Sequence, residues 1–215
     1  MSSELLIELA DKSLTKDDLR QRVKQDFSLV PVLLEGTHSP KAAVRYGCAK
    51  VLMDLSAEYP ERLYAHMDSF IGLLASEYRI LTWNALAIIA NLAKVDEKEK
   101  LDAALEKYYS FLNSEYMVTV ANTVGNSGKI ALAKPYLIPR ITSELLKVEK
   151  ISVTPHLTEE CKRVIAEKAI MTFDLFFDKL AEKEKKKVLS FVKRQLGSPR
   201  ITLDTKAASF LEKWC

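Results

Sequence analysis

Apolar residues recur along this chain at three- and four-residue intervals, broken by short polar turns, and the alternation of a half-buried strand is missing throughout. Residues 29–60, LVPVLLEGTHSPKAAVRYGCAKVLMDLSAEYP, show the pattern best. Leu29, Val30, Pro31, Val32, Leu33 and Leu34 read as an apolar helix end carrying a proline. A polar turn follows, in which Pro40 suits the first turn of the next helix. Val44, Arg45, Cys48, Val51, Leu52 and Leu55 then form one stripe on that helix.

The pattern recurs with drift. Phe70 to Lys94 (FIGLLASEYRILTWNALAIIANLAK) repeats the leucine pair at Leu73-Leu74 and continues with Leu81, Ala85, Ile88, Ile89 and Leu92. Tyr109 to Lys134 shares Leu-x-Ser-Glu-Tyr with it, and the two tyrosines, Tyr78 and Tyr116, are 38 residues apart. Ile138-Pro139 restores the proline of the first segment, and a second helix is expected from about Leu157 to Leu180. A long polar connection, Glu149 to Thr158, precedes it. Lys185 to Trp214 reads as a last, short pair. Leu34, Leu74, Leu112, Leu146 and Leu196 step by 40, 38, 34 and 50 residues.

The Pro31-to-Arg45 spacing resembles a HEAT repeat, in which an A helix with Leu-Pro-type residues precedes a B helix opening with Val-Arg. The leucine steps bracket the roughly 40–47 residues of HEAT and armadillo units. The resemblance implies an all-α fold, a right-handed α-α superhelix (α-solenoid) of about five helix pairs. One domain is expected over 1–215, with a possible N-terminal cap at 1–16 around Leu5, Leu6, Ile7 and Leu9. Repeats are expected at 17–60, 61–95, 96–134, 135–181 and 182–215. It also implies that the B helices line a concave groove, and that Arg45 is structural, paired with a neighbouring acid. The second and third segments depart from the pattern by lacking that arginine.

Composition supports helices. Gly, at 6 of 215 residues, and Pro, at 7, are too scarce for the turns of a sandwich or barrel. The 48% hydrophobic and 28% charged fractions exclude a wholly disordered chain. No stretch reaches the roughly 18 apolar residues of a membrane span, so no membrane partner is expected. The acidic start, MSSELLIELADKS, lacks the features of a secretory signal. Cys48, Cys161 and Cys215, odd in number and scattered, fit free thiols and a cytoplasmic location. The net charge of +3 hides an asymmetry. Residues 1–107 carry 14 basic against 17 acidic side chains, and residues 108–215 carry 18 against 12. A basic half can attract nucleic acid or an acidic protein. The run Ala181 to Gln195 (AEKEKKKVLSFVKRQ), with Lys162, Arg163, Lys168 and Arg200, could build a phosphate-facing patch.

Catalytic chemistry is not in evidence. His38, His66 and His156 are scattered, and His156 with Cys161 offers two ligands where a structural zinc site needs four. Gly125 and Gly128 (VGNSGK) lie inside a helical segment and lack the spacing of a phosphate loop. No cofactor, metal or catalytic residue is expected. The third B helix is the oddest segment. Anchored on Ser-Glu-Tyr, its inward stripe would be Thr119, Thr123, Asn126, Ser127 and Ile130. Shifted by one, the stripe becomes Val120, Val124, Ser127, Gly128 and Ala131. Unpaired buried hydroxyls favour the shifted register. Asn122, Asn126 and Lys129 then share one face, and Asn84 and Asn91 make a similar stripe in the second B helix, next to Trp83, a candidate anchor.

The candidate partner-binding residues are therefore Trp83, Asn84, Asn91, Asn122, Asn126 and Lys129. The expected function is a non-enzymatic scaffold or adaptor that binds a protein or peptide in the groove. The alternative is nucleic-acid binding through the basic half, as in the HEAT-like DNA alkylation-repair glycosylases. That family would need tryptophans, arginines and a catalytic aspartate in the groove. Asp54 is the only nearby acid, so its catalytic residues do not transfer.

Overall fold

The computed structural model describes residues 2–215, and they form helices joined by short turns. No strand occurs among the described residues; one isolated antiparallel bridge links Thr154 and Leu157. In chain order the helices are α1 (Ser2–Asp11), α2 (Lys16–Gln25), α3 (Val30–Gly36), α4 (Ala42–Glu58), α5 (Pro60–Leu63), α6 (Met67–Leu73) and α7 (Arg79–Leu92). They continue as α8 (Lys100–Ser110), α9 (Met117–Ala133), α10 (Ile138–Leu146), α11 (Glu159–Asp174), α12 (Glu182–Lys193) and α13 (Ile201–Trp214). The fold is all-α. Two compact units divide within α8, the first ending at Ala104 and the second spanning Leu105–Cys215.

Proline starts helices here. Pro31, Pro60 and Pro139 each occupy the first turn of α3, α5 and α10, where the missing N–H leaves no bond unmade. Pro31 thus opens its helix, where the sequence pattern had it near a helix end. The turns that launch the long second helices share a device. A serine Oγ accepts the backbone N–H two residues on: Ser39 from Lys41 (3.2 Å), Ser76 from Tyr78 (3.1 Å), Ser114 from Tyr116 (3.2 Å) and Ser198 from Arg200 (3.3 Å). In each case the donating residue is the extended N-cap of the next helix. The long 149–158 connection departs from this. There Thr154 accepts from Leu157 (3.0 Å), and Thr158 caps α11 through the Cys161 N–H (3.3 Å).

In the first unit α4 packs against α1, α2, α3 and α7, and α6 packs on α7. Leu33, Leu52, Leu55, Leu63, Met67 and Phe70 are fully buried there. At the start α1 packs with Leu5 and Leu9 buried and Ile7 59% exposed. Arg45 is buried and stacks on Tyr78, its guanidinium carbon 3.7 Å from the ring centroid. It donates to the carbonyls of Ser39 (2.8 Å) and Pro40 (3.2 Å). The acidic partner expected for Arg45 is replaced by turn carbonyls and an aromatic face, which engage the guanidinium without a second buried charge while its Nε stays buried and without a hydrogen-bond partner.

In the second unit α11 lies between α9 and α13, and α12 packs on α10 and α13. Tyr108, Phe173, Phe176 and Phe191 are its largest fully buried side chains. Asp174 accepts from Trp214 Nε1 (2.7 Å) and Lys213 Nζ (2.8 Å), fastening α13 to α11. Burial alone would raise the pKa of Asp174, but those two hydrogen bonds outweigh it and hold the carboxyl below its ordinary value. Gly197 has φ +72°, a left-handed conformation that suits glycine, and its N–H donates to Asp204 (2.7 Å).

The helical glycines differ sharply in what a methyl group would meet. At Gly36 it would lie 2.5 Å from Cys48 Sγ and 3.0 Å from Leu6, inside the core. At Gly125 it would meet the carbons of Lys168, a flexible side chain, at 2.9 Å. Gly125→Ala should therefore stabilise by up to about 1 kcal/mol through helix propensity. Gly36→Ala should destabilise by about 1–3 kcal/mol through overpacking. Urea unfolding of the two variants checks both signs; equal effects would mean that these close approaches carry no weight.

Candidate functional site

The candidate residues fall on two helices, one in each unit. In the first unit, α7 buries most of its surface, and Arg79, Ile80, Trp83, Asn84 and Asn91 are its half-buried or exposed side chains. Asn84 and Asn91 lie seven residues apart, hence on one face. Asn91 is engaged within the unit: its Nδ2 donates to Ser56 Oγ of α4 (2.9 Å), and that hydroxyl donates to the Met53 carbonyl (2.7 Å). Trp83 is half-buried beside Asn84. Asp54 on α4, the acid weighed above, is ion-paired to Lys50 at 2.6 Å. A cavity of about 460 Å³ in this unit is lined by the turns Thr37–Pro40 and Gly72–Tyr78 with Leu81, and none of the three α7 candidates reaches it.

In the second unit α9 is buried over a wide arc. Thr119, Val120, Thr123, Val124, Ser127, Gly128, Ile130 and Ala131 are all inside. This unites most of both registers that the sequence allows, with only Asn126 left half-exposed. The hydroxyls bear burial because they bond to their own helix. Thr123 donates to the Thr119 carbonyl (3.0 Å), and Ser127 donates to that of Thr123 (2.7 Å). Tyr109 adds a donor to Ser127 Oγ at 3.2 Å, and Thr172 of α11 donates to the Val124 carbonyl at 3.2 Å. Burial drives the Tyr109 phenol far above its usual pKa, so it serves as a neutral donor. The glycines admit α11: a methyl at Gly128 would lie 2.6 Å from Leu175 and 3.3 Å from Thr172.

The outer strip of α9 runs Val118, Asn122, Asn126, Lys129 and Leu132. Val118 is 38% and Leu132 43% exposed. Asn122 Nδ2 donates to the Val118 carbonyl (2.8 Å), and Asn126 Nδ2 donates to that of Asn122 (3.0 Å). Each bond fixes an amide while leaving its oxygen and second N–H for another partner. Lys129 is exposed as a residue, yet crowding around its ammonium lowers its pKa through partial desolvation.

Burial pushes the Cys48 thiol up to about 12, which keeps it protonated at neutral pH. No group of three or more His, Cys, Asp or Glu side chains could hold a metal among the described residues. All three cysteines are free thiols, and no helix among the described residues is long and apolar enough to cross a membrane.

The basic patch expected across the second unit is narrower than the sequence implies. Lys162 and Arg163 pair with Glu159 and Glu160, Arg200 pairs with both Glu160 (2.6 Å) and Glu167 (2.7 Å), and Lys168 lies over Gly125.

Among solved structures the chain is similar to a designed armadillo repeat protein, with a TM-score of 0.62 over 98% of this chain and 92% of that one, at 18% identity. The fold is an armadillo-like α-solenoid. An engineered protein from the Northeast Structural Genomics Consortium is similar at a TM-score of 0.57 and 18% identity, over 98% of this chain and 87% of that one. No protein-family profile and no curated protein matches the sequence.

Proposed function

We propose that this solenoid is a non-enzymatic scaffold that binds an extended protein segment along the outer strip of α9, and that α7 in the first unit carries a strip of its own. The observation that carries the reading is the state of Asn122 and Asn126. Their amides are oriented by their own helix and offer paired donors and acceptors between two exposed apolar residues, Val118 and Leu132. An extended peptide presents the complementary N–H and C=O groups, and amides held in place lose little entropy on binding it. On the separate strip of α7, Asn84 presents an amide beside Trp83, the aromatic anchor there. Lys129 adds a cation that favours an acidic side chain in the ligand. The HEAT resemblance of Pro31 and Val44-Arg45 is consistent with second helices that serve as the binding surface. Three free thiols fit a reducing, cytoplasmic setting.

The asparagines divide under mutation. Asn91→Ala should cost about 0.5–1.5 kcal/mol, because it removes the bridge to Ser56. Asn84→Ala with Asn122→Ala should leave thermal unfolding nearly unchanged. The binding measurement uses peptides selected from a random displayed library against the folded chain. The expected result is loss of most peptide affinity in the double variant at unchanged stability. A failure to select peptides would overturn the reading, as would unchanged affinity with lowered stability.

A further inference from the structure

The lysines of α12 stand where helix physics disfavours them. Lys183, Lys185, Lys186 and Lys187 crowd the first two turns, the end at which the helix dipole is already positive. Lys183 is three residues from Lys186 and four from Lys187, spacings at which like charges repel across the helix surface. The helix has two carboxylates, and both are occupied. Glu182 pairs with Lys185 at 2.9 Å, and Glu184 accepts the Ala181 N–H at 3.2 Å. Among the described residues Lys183, Lys186, Lys187 and Lys193 form no ion pair, and all four are exposed. The cations of α11 and the start of α13 are treated differently: Lys162, Arg163 and Arg200 each have a glutamate. An excess of cations on one helix face, against that helix's own stability, leaves a surface that an external polyanion would stabilise.

The face also has a receptive shape. An open hollow of about 470 Å³ is bounded by Lys186, Leu189, Ser190, Lys193 and Arg194. Lys186, Ser190 and Lys193 fall at i, i+4 and i+7 on one line. Arg194 is already committed to Glu149 and to Ser190 Oγ (2.7 Å), so the free positive charge at the hollow belongs to lysines.

We propose that the exposed face of α12 from Lys183 to Lys193 binds the phosphate backbone of duplex nucleic acid without reading its sequence. Ten residues of helix rise about 15 Å. One strand of a duplex presents roughly four phosphates over that length, at about 3.4 Å per charge. Four unpaired lysines match that number. The strip has no aromatic side chain on which unpaired bases could stack, which disfavours a single strand. Its one apolar residue, Leu189, is half-buried, which gives a bilayer nothing to insert. Lysine charges on flexible stems contact phosphates without geometric discrimination between bases.

The test is fluorescence anisotropy of the full chain with two short labelled duplexes of unrelated sequence, over a salt series. Both should bind alike, with a slope of log K against log salt of about −3 to −4. Lys186→Gln with Lys193→Gln should flatten that slope by about 2 and retain the helical circular dichroism. An equal change of charge in the other unit, Lys16→Gln with Lys98→Gln, should leave the slope within experimental error. The proposal is overturned if neither duplex binds at low salt, or if the two double variants behave alike. It is also overturned if the matching single strand, phosphatidylserine vesicles or polyglutamate binds more tightly than duplex through the same lysines. This face is separate from the α7 and α9 strips, so either assignment can fail without the other.

Discussion

Phe173→Ala should lower the unfolding free energy by about 3–5 kcal/mol, the range for emptying a fully buried phenylalanine site. The ring is 0% exposed, with its centroid 6.0 Å from Phe176 and 6.1 Å from Phe191 in edge-on arrangements. Phe191 is on α12, so the cluster joins α11 to the helix that carries the basic face. Aromatic pairs of this kind add to the transfer and cavity terms. The surroundings are rigid, with Phe176, Ile170 and Val188 themselves buried, so little collapse into the hole is available. Native domains have only about 5–15 kcal/mol in total, and this variant should sit at the edge of folding. Urea unfolding measures the loss. Ile201→Ala is the control: that side chain is 80% exposed, and its removal should stay within about 0.5 kcal/mol.

Leu52→Ala and Ile89→Ala should each cost about 2–5 kcal/mol. Both side chains are 0% exposed, on α4 and α7, whose packing builds most of the first unit. Near-zero losses at both would mean that the inward stripes have been misassigned. The same titrations examine cooperativity. If the chain unfolds as one solenoid, Phe173→Ala and Leu52→Ala displace a single shared transition. Two transitions, each moved by only one of the variants, would separate the chain at α8.

The long helices were legible because their stripes have helical period and their ends carry proline or polar turns. Leu52, Leu55, Ile88 and Ile89 are inside for the reason their spacing gives. The register of α9 was not legible, since the argument assumed one buried face and the helix has nearly two. Thr123 and Ser127 look like polar intruders in a sequence, yet each satisfies its hydroxyl four residues back, a bond no periodicity reveals. Arg45 was rightly placed as structural, but its partners are two turn carbonyls and a tyrosine face from another helix. Asn91 and Asn84 look equivalent on a wheel; only the position of Ser56 separates them. The unpaired state of the α12 lysines is also invisible in sequence, because Lys186 and Lys187 too have a glutamate one turn away, and only the structure gives Glu182 to Lys185 and Glu184 to the Ala181 N–H.

The serine-anchored turn at Ser39, Ser76, Ser114 and Ser198 has a genealogical consequence. A junction held by one hydroxyl and one amide two residues later accepts residues as unlike as proline and glutamate between them, as Pro40, Glu77, Glu115 and Pro199 show. Such a junction is a natural seam for tandem duplication. A copied segment would arrive with its own hinge and leave neighbouring cores free to diverge.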